Sequence, residues 1–206
     1  MSQTEFTRPD DPDVWVFLGA GDGTFAAATG YPTATGRPAH SVATGDINND
    51  GRDDIIAVES TDALFTPEDV EVLLAQAGGG FAAPARHGST WTHAGALAVG
   101  RLGDDPNADV VVSVTRCEGI PACISVLIVL SGHADGTIGD PMTDGQFLQT
   151  PYGGPLVVPL RTTSHNDVVL YGGAVQPLLS AADGTLTAGT AAPALGGGRR
   201  RPGRQP

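Results

Sequence analysis

The chain is organised as short apolar runs, rich in β-branched residues, that alternate with turns rich in Gly, Asp and Asn. Two such runs are Ile-Ile-Ala-Val at 55–58 and Val-Leu-Ile-Val at 126–129. Runs of this length and composition, bounded by turn residues, predict β-strands. The nearest approach to a helical pattern, at 66–75, conflicts with the strand-like alternation inside it. We therefore predict an all-β fold.

A hairpin-like unit, made of an apolar strand, a Gly- or Asp-containing turn and a second strand, occurs four times. Asp-Gly between apolar runs is a strong short-range hairpin signal. The unit recurs about every 56 residues, with a shorter last interval, as its second strands show near Phe25, Phe81, Ile138 and Leu186. Recurrence at such a period indicates a repeat architecture.

Each interval accommodates four short strands. In the first complete interval we predict them near residues 40–45, 54–59, 70–75 and 80–87. A four-stranded sheet repeated at this period is typical of a β-propeller blade. The pattern starts in the second half of a blade, so we predict a partial or open β-propeller of about three and a half blades.

The repeats divide the chain into three parts. Residues 14–195 hold the β-propeller repeats, whereas residues 1–13 and the Gly/Arg/Pro-rich tail at 196–206 are predicted to be disordered. Because the pattern opens in mid-blade, we expect a truncated reading frame or a piece of a larger propeller, with the missing blades as partners.

The segment 46–54, Asp-Ile-Asn-Asn-Asp-Gly-Arg-Asp-Asp, carries the clearest candidate chemistry in the chain. Its positions one, three, five and nine bear oxygen-containing side chains, and Gly51 at position six permits a left-handed turn. Ca²⁺ binds about six to eight oxygen ligands from carboxylates, amide and backbone carbonyls and water. The segment therefore predicts a calcium-binding loop. The alternative is an Asx-rich surface turn without a metal.

The residues around this loop argue against an EF-hand. An EF-hand needs a bidentate Glu at position twelve and a helix on each side. Position twelve is Ala57, and strand-like runs at 41–45 and 55–58 flank the loop. We therefore predict a strand–loop–strand site.

Later copies of the loop lose its donors. In the second copy Arg101 and Gly103 replace the donors at positions one and three, and Pro106 replaces the Gly. The guanidinium of Arg101 at position one puts a fixed positive charge where a cation would bind. Asp105 and Asp109 keep positions five and nine in this copy, whereas only Asp167, at position nine, is clearly retained in the third copy. We predict one intact calcium site and two relics.

Two features together resemble the FG-GAP repeat, also called the VCBS-type repeat: Gly-Asp-Gly-Thr-Phe at 21–25 after a strand, and the loop at 46–54 before an apolar strand. This repeat builds the propeller heads of integrin α chains and of many bacterial secreted proteins. The resemblance is specific over residues 14–87 and weaker over 88–195. It implies Ca²⁺ bound by the side chains of Asp46, Asn48, Asp50 and Asp54 and by the backbone carbonyl of Arg52.

The resemblance also implies a functional class. Members of this family mostly bind proteins or glycans, or act as ancillary domains beside an enzyme. We expect a calcium-stabilised, non-catalytic protein for adhesion or for recognition of a protein or glycan. The alternatives are an ancillary or catalytic domain of a secreted carbohydrate-active enzyme, and a truncated structural relic. The family implies an extracellular or cell-surface location, but residues 1–12 show no signal peptide.

The composition narrows the expected partners. Asp and Glu number 23 against 11 basic residues, all of them Arg, which gives a net charge of −12. Such a surface repels nucleic-acid phosphates, so we expect no nucleic-acid partner. No apolar run approaches about 18 residues, so we expect no membrane span.

The remaining candidate sites are weak. Cys117 and Cys123 flank a short loop and suit either a disulfide or two free thiols. The glycines at 19–23 lack the spacing and the following helix of a dinucleotide site. Trp91 and His93 suit either a ligand groove or packing between blades, and no His belongs to a catalytic or zinc motif. We predict no catalytic and no cofactor-binding residue.

Overall fold

The structure is a computed structural model that describes residues 12–59, 69–87, 93–117, 123–142, 147–148, 154–171, 174–190 and 192–193. These residues form fifteen β-strands and no helix, which confirms the all-β prediction. No helix in the described ranges has the length and apolar character to cross a membrane. Of the two segments predicted to be disordered, 1–13 and 196–206, residues 1–11 and 196–206 lie outside these ranges.

The first two sheets are antiparallel and contain strands in chain order. The first sheet pairs β1 (Val14–Val16) with β2 (Thr29–Tyr31). The second sheet contains β3 (Ala39–Gly45), β4 (Asp54–Glu59), β5 (Val70–Leu73) and β6 (Ala85–His87).

The next two sheets repeat this plan. The third sheet contains β7 (His93–Gly100), β8 (Asp109–Cys117), β9 (Cys123–Leu130) and β10 (Phe147–Leu148). The fourth sheet contains β11 (Gly154–Val158), β12 (Asp167–Tyr171), β13 (Ala174–Ser180) and β14 (Leu186–Ala188), with β15 (Ala192–Pro193) also paired to β13.

We call the two-stranded sheet the half-blade, and the larger sheets blade 1, blade 2 and blade 3 in chain order. Sheets of about four consecutive antiparallel strands that follow one another along the chain are the organisation of a β-propeller. The prediction of a partial propeller of about three and a half blades is therefore confirmed.

The strand prediction in blade 1 needs one correction. β3, β4 and β5 lie where expected, but the fourth strand, predicted over 80–87, is interrupted. Phe81 makes only an isolated bridge with Ala75, and β6 begins at Ala85. Pro84 lies between them, and because proline lacks the N–H of a ladder bond it limits this edge strand to its last residues.

Each inner blade is buried on both faces because the sheets stack against one another. In β4, Ile56 and Val58 belong to the apolar cluster shared with blade 2, whereas Ile55 and Ala57 pack with the half-blade. β8 alternates in the same way, so that Val111 packs with blade 3. Burial on both faces explains why these strands are continuous apolar runs in the sequence.

Two glycines allow the blades to approach closely. Gly45 and Gly100 end the first strands of blades 1 and 2. A Cβ on Gly45 would lie 2.4 Å from Val99, and one on Gly100 would lie 2.6 Å from Val157. Because each contact crosses to the next blade, these positions require the absence of a side chain.

The recurring Asp-Gly-Thr turns are structural. In each turn the Asp Oδ1 accepts hydrogen bonds from the amide and the hydroxyl of the Thr, at 2.6–3.0 Å. The hydroxyl bond, followed by the amide bond, lowers the pKa of the Asp in all three turns, at Asp22, Asp135 and Asp183. Local bonding therefore explains the motif without a ligand.

Large apolar side chains are exposed at both ends of the stack. On the half-blade and its hairpin loop they are Trp15, Phe17, Leu18 and Phe25, each more than half exposed. On blade 3 they are Leu156, Tyr171 and Val175.

Candidate metal centre and the contacts between blades

The loop at 46–54 joins β3 to β4 of blade 1. The Asp46 carboxylate accepts the amides of Asp50 and Gly51, each at 2.9 Å. The Asn48 Oδ1 also accepts the Asp50 amide, at 3.2 Å, and the Asn48 amide group donates to Asp50 Oδ2 at 3.2 Å. Three of the predicted ligands, Asp46, Asn48 and Asp50, therefore lie together.

Two residues turn the loop through left-handed backbone conformations. Asn49 has a φ of 56° and Gly51 a φ of 83°. Asn tolerates this region better than other residues with a side chain, and Gly adopts it without steric cost. The predicted role of Gly51 as the turn residue is confirmed.

The Arg52 side chain folds back toward the loop. Its guanidinium forms an ion pair with Asp50, and its Nε donates to the carbonyl of Ala75 at 3.4 Å. Its amide donates to Asp50 Oδ1 at 3.0 Å. A cation bound at Asp50 would therefore compete with this guanidinium for the carboxylate.

Asp54 is set apart from the other predicted ligands. Its fully buried carboxylate accepts the amide of Ile47 at 3.0 Å and the amide of Ala75 at 2.8 Å. Burial raises the pKa of Asp54 above its ordinary range, against the effect of these two donors. Position nine thus ties the loop to the residues that follow β5.

The described residues contain no group of three or more His, Cys, Asp or Glu side chains arranged to hold a metal ion. The predicted donor set includes two groups of another kind, the Asn48 amide oxygen and the Arg52 backbone carbonyl. Hard oxygen donors suit Ca²⁺, and Asp46, Asn48 and Asp50 are all partly open to solvent. The donor chemistry thus fits calcium, although the Asp54 oxygens face backbone amides.

The buried Asp at position nine recurs in blade 2 with the same backbone partners. Asp109 accepts the amide of Leu102 at 2.8 Å and the amide of Gly132 at 3.3 Å. Burial raises the pKa of Asp109 as well. The persistence of this Asp in a loop that has lost the donors at positions one and three is explained by its backbone bonds.

In blade 3 an arginine supplies positive charge to the equivalent Asp. Asp167 accepts the Ser180 amide at 2.9 Å and forms an ion pair with the guanidinium of Arg161. Burial of Asp167 opposes ionisation, but the guanidinium outweighs it and holds the pKa of this carboxyl below its ordinary value. Arg161 stands at position three of this copy, where blade 1 has Asn48.

The first residue of the loop in blade 1, and that of the loop in blade 2, also bonds to the next blade through its backbone. The carbonyl of Asp46 accepts the amide of Ala108 at 2.9 Å, and the carbonyl of Arg101 accepts the amide of Asn166 at 2.8 Å. These bonds are equivalent, so the loop carries a contact between blades whether or not it has metal ligands.

A Ser–His–Asp group that the sequence analysis missed lies between blades 2 and 3. Asp104 Oδ1 accepts the Ser164 hydroxyl at 2.9 Å and contacts His165 Nδ1 at 3.1 Å. The serine bonds to the carboxylate and not to the imidazole, so a nucleophile paired with a base is missing from this group. The three residues form a polar contact between blades.

A second missed group lies at the other end of blade 1. Glu59, Asp69 and Glu71 are buried in strands or directly beside them. Burial, together with the neighbouring Glu59, raises the pKa of Glu71 to about 7. The signal in the sequence is Val70-Glu71-Val72, an acid within a strand whose two faces are both buried.

The other candidate residues divide between the described and undescribed parts. Cys117 and Cys123 are direct register partners in β8 and β9, and their side chains lie outside the described part, so the disulfide stays a prediction. Trp91 lies outside the described residues. The glycines at 19–23 form a hairpin turn between Gly19 and Phe25, which bridge to each other, and not the start of a helix.

Comparison with known proteins agrees with the geometry. Residues 6–57 match the family described as FG-GAP-like repeat. The match covers the half-blade, the loop at 46–54 and most of β4, where the sequence resemblance is specific. No curated protein matches the chain. The family match over residues 6–57 and the stacked four-stranded sheets together support the resemblance to the FG-GAP-like repeat.

Proposed function

We propose that this chain is a calcium-stabilised β-propeller repeat protein for adhesion or for recognition of a protein or glycan, and that it is not itself catalytic. The calcium part rests on one observation. Oxygens of Asp46, Asn48 and Asp50 are gathered on a loop whose backbone is bonded to the next blade.

The loop would hold the ion through the side chains of Asp46, Asn48 and Asp50 and the Arg52 carbonyl, with Asp54 at its buried end. Bound Ca²⁺ supplies positive charge that offsets the repulsion between neighbouring carboxylates. The residues of the chain fix the loop in place. Asp54 bonds it to the end of β5, and the Asp46 carbonyl bonds it to blade 2.

The calcium affinity expected of this site supports an extracellular or cell-surface role. A partly exposed site with a competing guanidinium at Asp50 is expected to bind calcium weakly. Extracellular calcium modules work with Kd values of about 10⁻⁴–10⁻³ M, because calcium is abundant there. We therefore expect the site to be filled outside the cell.

Thermal unfolding in calcium and in EDTA tests the calcium role. We expect calcium to raise the Tm of the wild-type protein and Asp50→Ala to abolish the rise. Asp105→Ala is the matched control, because Asp105 holds position five in the loop of blade 2 that has lost the donors at positions one and three. A wild-type Tm that is the same in calcium and EDTA would contradict the proposal.

The recognition part is supported by the exposed apolar surface of the half-blade. Trp15, Phe17, Leu18 and Phe25 lie in solvent, and contiguous exposed apolar surface often marks an interaction site. Aromatic side chains supply large contact area at low entropic cost, which suits both protein and glycan ligands.

A glycan array and a panel of secreted or surface proteins, each probed with and without EDTA, test this part. We expect binding that Trp15→Ala and Phe25→Ala weaken without lowering the Tm. Tyr171→Ala is the control, because it removes an exposed aromatic residue from the other end of the stack. Glycoside hydrolysis by the same preparation would instead favour the enzyme-associated alternative.

A further inference from the structure

The face of blade 1 that packs against the half-blade is apolar at one end and acidic at the other. At one end it is apolar, with Ile55, Ala57 and Leu73 in the cluster shared with the half-blade. At the other end the strand register places Glu59 and Glu71 on the same face. Both side chains are completely buried.

Blade 2 has apolar residues at the equivalent positions. Ile55 pairs with Leu73 in blade 1 as Val110 pairs with Leu130 in blade 2, which makes Val114 and Ile128 the counterparts of Glu59 and Glu71. Both counterparts belong to the apolar cluster between blades 1 and 2. The fold therefore does not need acids at these positions, since a buried apolar pair serves in the next blade.

The two glutamates hold the segment that links the half-blade to blade 1. Both oxygens of Glu71 accept the Ala34 amide at 2.9 Å. Glu59 Oε1 accepts the Thr35 amide at 3.2 Å and the Thr35 hydroxyl at 2.6 Å. The segment 33–37 runs between β2 and β3, so these bonds fasten the connection between the two sheets.

One carboxylate oxygen of this pair is left without a donor. Glu59 Oε2 is buried and has no hydrogen-bond partner among the residues that the structure describes. An unpaired buried carboxylate oxygen is costly. The Glu71 carboxyl is its neighbour, and a proton on Glu71 would supply the missing donor.

The surrounding charges do not neutralise the pair. Asp69 lies beside Glu59, where its carbonyl accepts the Glu59 amide, and its carboxylate is paired with Arg86 across β5 and β6. The Arg86 side chain is half exposed, so much of its charge is screened. Among the described residues, the remaining charged or titratable groups on the elements that border the pair are Asp13, Tyr31, Arg37, His40, Asp54 and His87.

We propose that Glu59 and Glu71 share one proton and form a pH-dependent fastening of segment 33–37, and through it of the half-blade, to blade 1. In the closed state the Glu71 carboxyl donates its O–H to Glu59 Oε2. Loss of that proton to solvent leaves two buried carboxylates facing each other, and their repulsion frees the segment. A similar pair of carboxyls shares one proton in aspartic proteases.

The direction of the pH dependence follows from the raised pKa of Glu71. This group keeps its proton in the folded state up to about pH 7, whereas the unfolded chain loses it near 4.5. The stability from the shared proton is therefore complete below the unfolded pKa and is lost as pH rises toward 7. Across this window one proton changes the folding constant by up to about tenfold per pH unit.

NMR of protein labelled with ¹³C at the glutamate Cδ tests the shared proton directly. The chain contains five glutamates, so the spectrum is simple. In EDTA we expect one resonance to titrate near neutral pH and to disappear in Glu71→Gln. Titration of every glutamate below about pH 5 would overturn the proposal.

The same spectrum separates a proton from a metal ion. Addition of Mg²⁺ or Ca²⁺ in place of EDTA should leave the pH midpoint of this resonance unchanged. A cation that abolishes the titration near neutral pH would mean that the pair is a metal site, and this would overturn the shared proton. The loop at 46–54 contains no glutamate, so calcium bound there adds no change of its own to a labelled glutamate resonance of the loop.

Urea unfolding at several pH values tests the effect on the fold. The side-chain amide introduced by Glu71→Gln would donate to Glu59 Oε2 and accept from Ala34 without a proton to lose. We expect this substitution to remove most of the fall in urea midpoint between pH 5 and 8. Asp135→Asn, at an exposed turn, is the control and should keep the wild-type slope. An unchanged slope in Glu71→Gln would contradict the proposal.

Hydrogen exchange shows whether segment 33–37 is what opens. Protection factors correct for the intrinsic pH dependence of exchange, and those of the Ala34 and Thr35 amides should fall between pH 6 and 8. Glu59→Gln serves as the second variant if Glu71→Gln folds poorly, because it also removes one charge from the pair. Constant protection of both amides through this range would overturn the opening.

Discussion

The backbone carbonyl of Asp46 accepts a hydrogen bond from the amide of Ala108 in the next blade, with an N–O distance of 2.9 Å. The first predicted calcium ligand is therefore also a contact between blades. We therefore expect a change in the order of the loop at 46–54 to reach blade 2 through this bond.

Hydrogen exchange at Ala108 measures that link. If calcium orders the loop, we expect the Ala108 amide to exchange more slowly in calcium than in EDTA. The Asn166 amide is the internal reference, because it makes the equivalent 2.8 Å bond to Arg101 in a loop that lacks the donors at positions one and three. Equal slowing at both amides would show a global effect and not one that passes through the loop.

Gly45→Ala should destabilise the protein by about 1–3 kcal/mol, as overpacking usually does. The new Cβ would lie 2.4 Å from Val99 in the next blade, so one of the two sheets must move. Urea unfolding measures the loss. Gly78→Ala is the matched control, because nothing lies within 4 Å of its Cβ. Val99→Ala combined with Gly45→Ala should recover part of the loss, and additive losses would contradict the steric cause.

Asp109→Asn should cost about 1–3 kcal/mol of unfolding free energy, because the buried carboxylate accepts two backbone amides. An asparagine offers one acceptor and places its NH₂ group against the other amide, from Leu102 or Gly132. Urea unfolding at neutral pH checks the value. The loss should be the same in calcium and EDTA, since the loop of blade 2 has lost the donors at positions one and three. A loss seen only in calcium would indicate that Asp109 is a metal ligand.

Arg161→Met should destabilise blade 3 by leaving Asp167 buried without its guanidinium partner. The wild-type pair holds the pKa of Asp167 below its ordinary value, so its stabilisation is present above that value and is lost on acidification. Arg161→Lys should recover part of the loss, because an ammonium keeps the charge but not the planar geometry. Urea midpoints from pH 3 to 7 check this, and equal midpoints for the two variants would contradict the role of charge.

The strands and the repeat were predictable because both faces of each inner blade are buried. Ile55 and Ile56 pack on opposite faces of β4, so the strand appears in sequence as an unbroken apolar run between turn residues. The broken fourth strand of blade 1 was less visible. Phe81 continues the hydrophobic pattern, but Pro84 interrupts the hydrogen-bond ladder behind it.

The sequence predicted which residues of the loop carry donor oxygens, but not which of them are buried and which are open to solvent. Asp46 and Asp54 look alike in the nonapeptide, yet Asp54 is buried against two backbone amides and Asp46 is partly open to solvent. That difference depends on Ala75, which is distant in sequence. Glu59 and Glu71 were missed for the same reason, because acids within strands are read as facing solvent unless both faces are known to be covered.

The pKa shifts predict an unusual pH dependence for the calcium-free protein. The pKa values of Asp54, Asp109 and Glu71 are raised by burial, so the stability that these groups contribute is lost as pH rises through their folded values. The pKa values of several exposed acids are lowered. At Asp104 and Asp135 the largest cause is a hydrogen bond that the carboxylate accepts from a hydroxyl group. Their stabilisation is lost only as pH falls below the ordinary value of 3.8.

Maximum stability in EDTA should therefore lie near pH 4–5, on the acid side of the range of about 5–8 that is usual for proteins. The net charge of −12 acts in the same direction, because acidification reduces repulsion across the surface. Urea unfolding from pH 3 to 8 checks this through the midpoint at each pH. The m-value, which is the slope of unfolding free energy against urea concentration, is compared across the same pH range. Glu71→Gln should move the maximum toward neutral pH. A wild-type maximum at or above pH 7 would show that the buried acids do not hold their protons in the folded protein.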